Sequence, residues 1–131
     1  MSHEEIVEKV IESLKETKDY DEDEKVGNKD LLFYDHDFTS MDMLDFLFRI
    51  ENFFDIRIQE GTIEKLVRDN VPEGDFAVDG NLTAKGRQKL MEFLHDTPEN
   101  IFPDKIHISS LPRYCTVDSI ARLVEQVKLG N

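Results

Sequence analysis

The run Phe38-Thr39-Ser40-Met41-Asp42-Met43-Leu44-Asp45-Phe46-Leu47-Phe48-Arg49-Ile50-Glu51-Asn52-Phe53-Phe54 constrains this chain more than any other segment. At 100° per residue, Asp42, Asp45, Arg49 and Asn52 gather in one narrow stripe, while nine apolar side chains from Met41 to Phe54 occupy most of the remaining circumference. A helix so patterned is expected to be mostly buried and to show solvent a thin, largely acidic edge. Its start carries two capping residues in succession. Thr39 has Asp42 three positions on, the spacing of a capping box, whereas Ser40 could itself cap as an ordinary N-terminal serine. If Thr39 caps, the Ser40 hydroxyl lies in the first turn and is free to point outward. The sequence leaves both choices open.

The flanking segments supply partners for this helix. Ser2 and Glu5 form a second capping box, and Ile6, Val7, Val10, Ile11 and Leu14 recur at helical spacing, which predicts a helix over about residues 3–18. Residues 19–37 form a long loop with an acidic run from Asp19 to Glu24, anchored by Leu31, Leu32 and Phe33. The run lacks the central glycine and closing glutamate of a calcium-binding loop. Thr116 begins a last helix of about 116–128, with Val117, Ile120, Leu123, Val124 and Val127 on one face. Between lies a less regular stretch of about 60–112. It holds a short helix from Thr62 to Asn70, a turn at Asp79-Gly80-Asn81, and a helix capped by Thr83 whose apolar positions are Leu90, Met91, Phe93 and Leu94. Ile106-His107-Ile108 alternates and is expected to pair briefly with Ile56-Arg57-Ile58. These elements predict a single all-α domain over 1–131 with one very short two-stranded pairing.

Charge is distributed unevenly. The net formal charge is −13, and residues 1–60 hold 18 acidic and seven basic side chains against 11 and nine in the rest. Such a field disfavours nucleic acid and anionic membranes and favours basic protein surfaces. No apolar run approaches a membrane span and the first residues are acidic, so the expectation is a cytoplasmic monomer without stable membrane insertion. The single Cys115 is expected to be a packed small hydrophobe. Asp35-His36-Asp37, with His3, His95 and His107, gives no metal-ligand spacing, phosphate loop or nucleophile elbow. Asp35-His36-Asp37 is expected to be a solvated loop, with no catalytic or metal-binding residue assigned.

Ser40-Met41-Asp42-Met43-Leu44-Asp45-Phe46, followed by the helix to Phe54 and the tail Asp55-Ile56-Arg57-Ile58, resembles the acyl carrier protein signature. In that family the serine of Asp-Ser-Leu-Asp carries 4′-phosphopantetheine, a flexible arm taken from coenzyme A whose thiol holds acyl groups as thioesters. The resemblance implies a four-helix bundle with an inserted helical segment, and Ser40 as the attachment point. It implies docking roles for Asp42, Asp45, Glu51 and Asp37, and core or acyl-facing positions for Leu44, Leu47, Phe48, Ile50 and Phe54. Thr39 stands where the family usually has Asp, which leaves Asp37 to supply a carboxylate near the phosphate and its magnesium. Arg49, Asn52 and Phe53 also depart from the acidic pattern. The implied partners are a phosphopantetheinyl transferase and acyl-transferring or acyl-loading enzymes with basic docking patches, in fatty acid, lipid or lipopolysaccharide biosynthesis. Aminoacyl or polyketide cargo is an alternative. A rival of another class is an unmodified acidic helical adaptor that binds basic partners through the same stripe.

Overall fold

The computed structural model describes residues 1–59 and 61–130. Three long helices dominate it: α1 (His3–Lys18), α3 (Ser40–Phe54) and α7 (Val117–Gly130). α1 packs against both α3 and α7. Its N-terminus is closed by the Ser2–Glu5 capping box, and it ends at Asp19, whose backbone takes the left-handed conformation (φ 57°) and donates its N–H back to the carbonyls of Glu16 and Lys15. Aspartate tolerates that region better than most side chains. α3 stops in the same way at Asp55 (φ 54°).

Between α1 and α3 the chain forms the long loop expected from the sequence, closed by one turn of helix, α2 (Leu32–Asp35). Leu31 and Leu32 are buried and Phe33 is half-buried, so the three anchors enter the core as their apolarity requires. The loop is tied to the start of α7 by backbone bonds from Leu32 N to Cys115 O, Val117 N to Asp30 O and Asp118 N to Asn28 O.

The region expected as a loosely helical insert is a layer of short elements. α4 (Thr62–Arg68) and α5 (Glu73–Phe76) lead into a two-residue hairpin, β1 (Ala77–Val78) and β2 (Asn81–Leu82), followed by α6 (Ala84–Phe93) and two 3-10 segments, Glu99–Ile101 and Ile108–Tyr114. Thr83 caps α6 through the Gly86 N–H, and Leu90 and Leu94 are fully buried, with α6 packed chiefly on α4 and α5. Pro72, placed after the expected Thr62–Asn70 helix, starts α5 rather than merely ending α4, as suits a residue with a fixed φ and no N–H to satisfy. The expected pairing of Ile56–Ile58 with Ile106–Ile108 does not form. Ile106 and Ile108 instead bond to the hairpin, Leu82 N to Ile106 O and Ile108 N to Gly80 O, each 2.8 Å. Ile58 turns its N–H to the Glu51 carboxylate. The hairpin lies close in sequence and presents free edge groups, whereas Ile56–Ile58 is held at the foot of α3.

Polar links bind the insert to the long helices. Arg122 of α7 donates to Asp118 (2.6 Å), to Asp96 (3.0 Å) and to the Phe93 carbonyl, and Asp96 also accepts from the Thr116 hydroxyl (2.6 Å). Burial acts against the Asp96 charge, yet these donors hold its carboxyl below the usual range. At the other end of α1, His3 lies between two α7 carboxylates. Nδ1 meets Glu125 and Nε2 meets Asp118 at 2.7 Å. Satisfying both requires two ring donors, the imidazolium.

Two predictions follow from this packing. The Glu125 contact, and then that of Asp118, raise the His3 pKa, so the folded state favours the proton. Stability from this site is therefore fully present below the unfolded value of about 6.5 and is lost as pH rises through the folded pKa. The melting temperature of His3→Gln should fall short of the parent in acid, and the gap should close at alkaline pH; a gap independent of pH would contradict the assignment. At Gly86, an added Cβ would run into the Phe76 carbonyl oxygen. Alanine ordinarily favours a helix interior over glycine by about 1 kcal/mol. Here Gly86→Ala should reverse that sign and cost more than about 1 kcal/mol in denaturant unfolding, because α6 would be driven off α5.

Candidate functional site at the start of α3

The choice between caps is made by Thr39. Its Oγ1 accepts from the Asp42 N–H at 3.1 Å, the Asp42 carboxylate accepts from the Thr39 N–H at 2.9 Å, and the Thr39 carbonyl takes the first helical bond from Met43. Phe38 and Met43 flank the box and are both buried, the positions of a hydrophobic staple. Phe38 sits edge-on to Phe46 with ring centroids 5.6 Å apart. Ser40 thereby becomes the first residue of the helix and is exposed.

Lys18, the last residue of α1, closes over this corner. Its Nζ donates to Asp42 Oδ2 (3.1 Å) and to the Asp37 carbonyl (3.2 Å), 5.8 Å from the centre of the Phe38 ring. The Thr39 hydrogen bond, with a further contribution from Lys18, keeps the Asp42 carboxyl below its ordinary range. Asp37, the residue before Phe38, is exposed and left-handed (φ 52°).

The expected docking carboxylates are thus not equivalent. Asp42 is half-buried and committed to the cap and to Lys18. Glu51 is half-buried and accepts from the Ile58 N–H at 2.8 Å. Asp45 is exposed and meets Arg49 at 3.3 Å, and Arg49 also reaches Glu16 of α1 at 3.0 Å. Asp37 and Asp45 are the carboxylates of this set that face water most openly.

The expectation of a helix buried on all but a thin acidic edge is corrected. Met43, Phe46, Ile50 and Phe54 are buried at spacings of three and four residues and account for the core face. Leu47 is half-buried, while Leu44 and Phe48 lie outside the core, 65% and 62% exposed, beside Met41 at 73%. One packed interface covers little more than a third of a helix, so a chain of apolar residues around the whole circumference must leave some in water. Met41, Leu44 and Phe48, at spacings of three and four, make an exposed apolar stripe on the same side as Ser40.

The stripe leads to an open groove of about 960 Å³ at the far end of α3, bounded by Phe48, Glu51, Asn52 and Asp55, by Thr62 and Lys65 of α4, and by the last turns of α7. Its lining mixes apolar, amide, acidic and basic side chains.

The titratable residues noted from the sequence do not converge on one site. His36 is buried, with Nε2 2.9 Å from Asp30 and Nδ1 3.0 Å from the Tyr20 hydroxyl, which corrects the solvated-loop reading of Asp35-His36-Asp37. The ring pins the long loop before α3. Its partners stand six and sixteen residues away, beyond any local motif. His107 Nδ1 lies 2.8 Å from the Ser109 hydroxyl and accepts from the Ser109 N–H, and His95 is exposed. Cys115 is buried, and burial pushes its thiol up to about 12, so it stays protonated and inert. Among the described residues no group of three or more His, Cys, Asp or Glu side chains is placed to hold a metal ion. None of the described helices is long and apolar enough to cross a membrane.

No protein-family model matches the chain, and neither a curated protein nor a solved structure matches it significantly.

The two adjacent hydroxyls should respond in opposite ways to removal. Thr39→Ala should cost about 1 kcal/mol of stability through the lost cap. Ser40→Ala should leave unfolding within roughly 0.5 kcal/mol of the parent, as an exposed side chain with no structural duty. Equal losses at both positions would mean that Ser40 shares the cap.

Proposed function

We propose that the chain is an acyl carrier in which Ser40 holds 4′-phosphopantetheine. The observation that carries this reading is the division of labour at the start of α3: Thr39 supplies the cap and the Ser40 hydroxyl faces solvent. In the attachment step the Ser40 oxygen attacks the phosphorus of coenzyme A that bears the pantetheine. A Ser40 O–P bond forms and the P–O bond to adenosine 3′,5′-bisphosphate breaks. The hydroxyl proton passes to a base of the transferase, which also holds the magnesium. No oxidation or reduction occurs.

Local electrostatics support the modified state. A phosphodiester carries one negative charge, and the first turn of a long helix offers unpaired N–H groups and about half a positive charge, worth about 0.3 to 1 kcal/mol at an exposed site. Lys18 pairs with the Asp42 carboxylate at this corner and offsets its negative charge. The bound arm would supply the thiol on which acyl groups ride as thioesters, and the protein supplies attachment, solubility and docking. Asp37 just ahead of α3, and Asp45 beside the exposed Met41, Leu44 and Phe48 stripe, are open carboxylates suited to enzymes whose docking patches are basic around an apolar centre. Fatty acid, lipid or lipopolysaccharide biosynthesis is the setting for such a carrier, with the chain acting as a monomer in the cytoplasm and without catalytic activity of its own.

The exposed stripe favours one second reading, an unmodified adaptor that uses the same face to bind a basic protein. Incubation with coenzyme A, magnesium and a broad-specificity phosphopantetheinyl transferase separates the two by intact mass. The carrier gains one phosphopantetheine, lost in Ser40→Ala and retained in Thr39→Ser. A protein that gains nothing while remaining folded is not a carrier.

A further inference from the structure

Resting on the assignment of the arm to Ser40, we infer that the groove at the far end of α3 receives the thioester-linked group, and that it takes an acyl group bearing a hydroxyl or other hydrogen-bonding substituent. Three observations converge on that groove.

The first is alignment. With 100° per residue, Ser40, Leu44, Phe48, Glu51 and Asp55 all fall within an arc of about 80° on α3. The groove is therefore on the face from which the arm departs, and the exposed Leu44 and Phe48 side chains pave the way between them. An arm lying along this face need not cross the buried side of the helix.

The second is length. From Ser40 to Glu51 the helix rises about 16 Å, at 1.5 Å per residue. A phosphopantetheine arm, with its two amide links, matches an extended peptide of about five residues and spans on the order of 16 to 18 Å. Laid along α3, its sulfur arrives at the mouth of the groove, beside Phe48 and Glu51. The gem-dimethyl portion of the arm would pass over Leu44 and gain apolar contact there.

The third is chemistry. α3 is packed on its inner side by Met43, Phe46, Ile50 and Phe54, each buried to within a few percent of its surface, so the face that fills the core is already occupied by the protein's own side chains. The groove has a volume of about 960 Å³ and brings Asn52, Thr62 and Gln126 together with the carboxylates of Glu51 and Asp55 and the ammonium of Lys65. A plain alkyl chain placed there would strip water from these groups and return no hydrogen bonds, which is unfavourable. A hydroxylated or amide-bearing acyl group would return some of the lost water bonds, while Phe48 and Ile56 line the groove beside its hydrocarbon part.

The test compares two loaded forms of the ¹⁵N-labelled full-length protein, made with the transferase and either 3-hydroxybutyryl-coenzyme A or octanoyl-coenzyme A, with intact mass recorded first. The hydroxyacyl form should shift the amide signals of Glu51, Asn52 and Gln126 relative to the form carrying the unacylated arm, and Asn52→Trp, which fills the groove from an exposed position, should abolish those shifts while the loaded mass is unchanged. The octanoyl form should leave them in place or move them much less. A correctly loaded protein whose hydroxyacyl shifts are confined to the neighbourhood of Ser40 and Met41, or whose octanoyl form perturbs the groove more strongly, overturns the inference and leaves the carrier assignment standing. Absence of any mass gain overturns both.

Discussion

The reciprocal pair of hydrogen bonds between Thr39 and Asp42 decides how this protein presents itself. It fixes the residue at which α3 begins, while the turn of 100° per residue sets which side chains share a face. In the observed register Met43, Phe46, Ile50 and Phe54 meet the core, while Ser40, Met41, Leu44 and Phe48 meet water. Lys18 reinforces the corner from α1 and the buried Phe38 anchors it from below. The cap and the core face are therefore mutually consistent, and the exposed serine is a by-product of their agreement.

The long helices were legible because their signals are local. Ser2 with Glu5, Thr39 with Asp42, and the apolar repeats of α1 and α7 each lie within a few turns of chain, and the observed helices begin where those residues place them. The insert was less legible because its contacts are made at a distance. Whether Ile106 pairs with Ile58 or with Leu82 depends on where the hairpin folds, and neither three-residue run contains that information. His36 looked like part of a polar triplet on a loop, yet Tyr20 and Asp30 bury it. The exposed stripe was the informative miss at the candidate site. The count of apolar residues on α3 exceeds what one packing face can cover, a signal that is present in the sequence.

Charge does two kinds of work in this fold. The excess acidity of the first half includes groups already spent on structure: Asp42 on the cap, Glu51 on the Ile58 turn, Asp30 on His36. The half-buried Arg122, Asp96 and Asp118 join the insert to α7 with short, charge-assisted bonds, which hold orientation more than they add stability. Of the carboxylates around the start of α3, Asp37 and Asp45 stay exposed, Asp45 beside the Met41, Leu44 and Phe48 stripe.

The proposed carrier function requires Ser40 to be a site of attachment and not merely an exposed hydroxyl. Peptide mass mapping of the protein isolated from the cells that make it tests this most directly. A carrier should show phosphopantetheine, free or acylated, on the peptide containing Ser40. A fully sequenced Ser40 peptide that is unmodified throughout the population would contradict it.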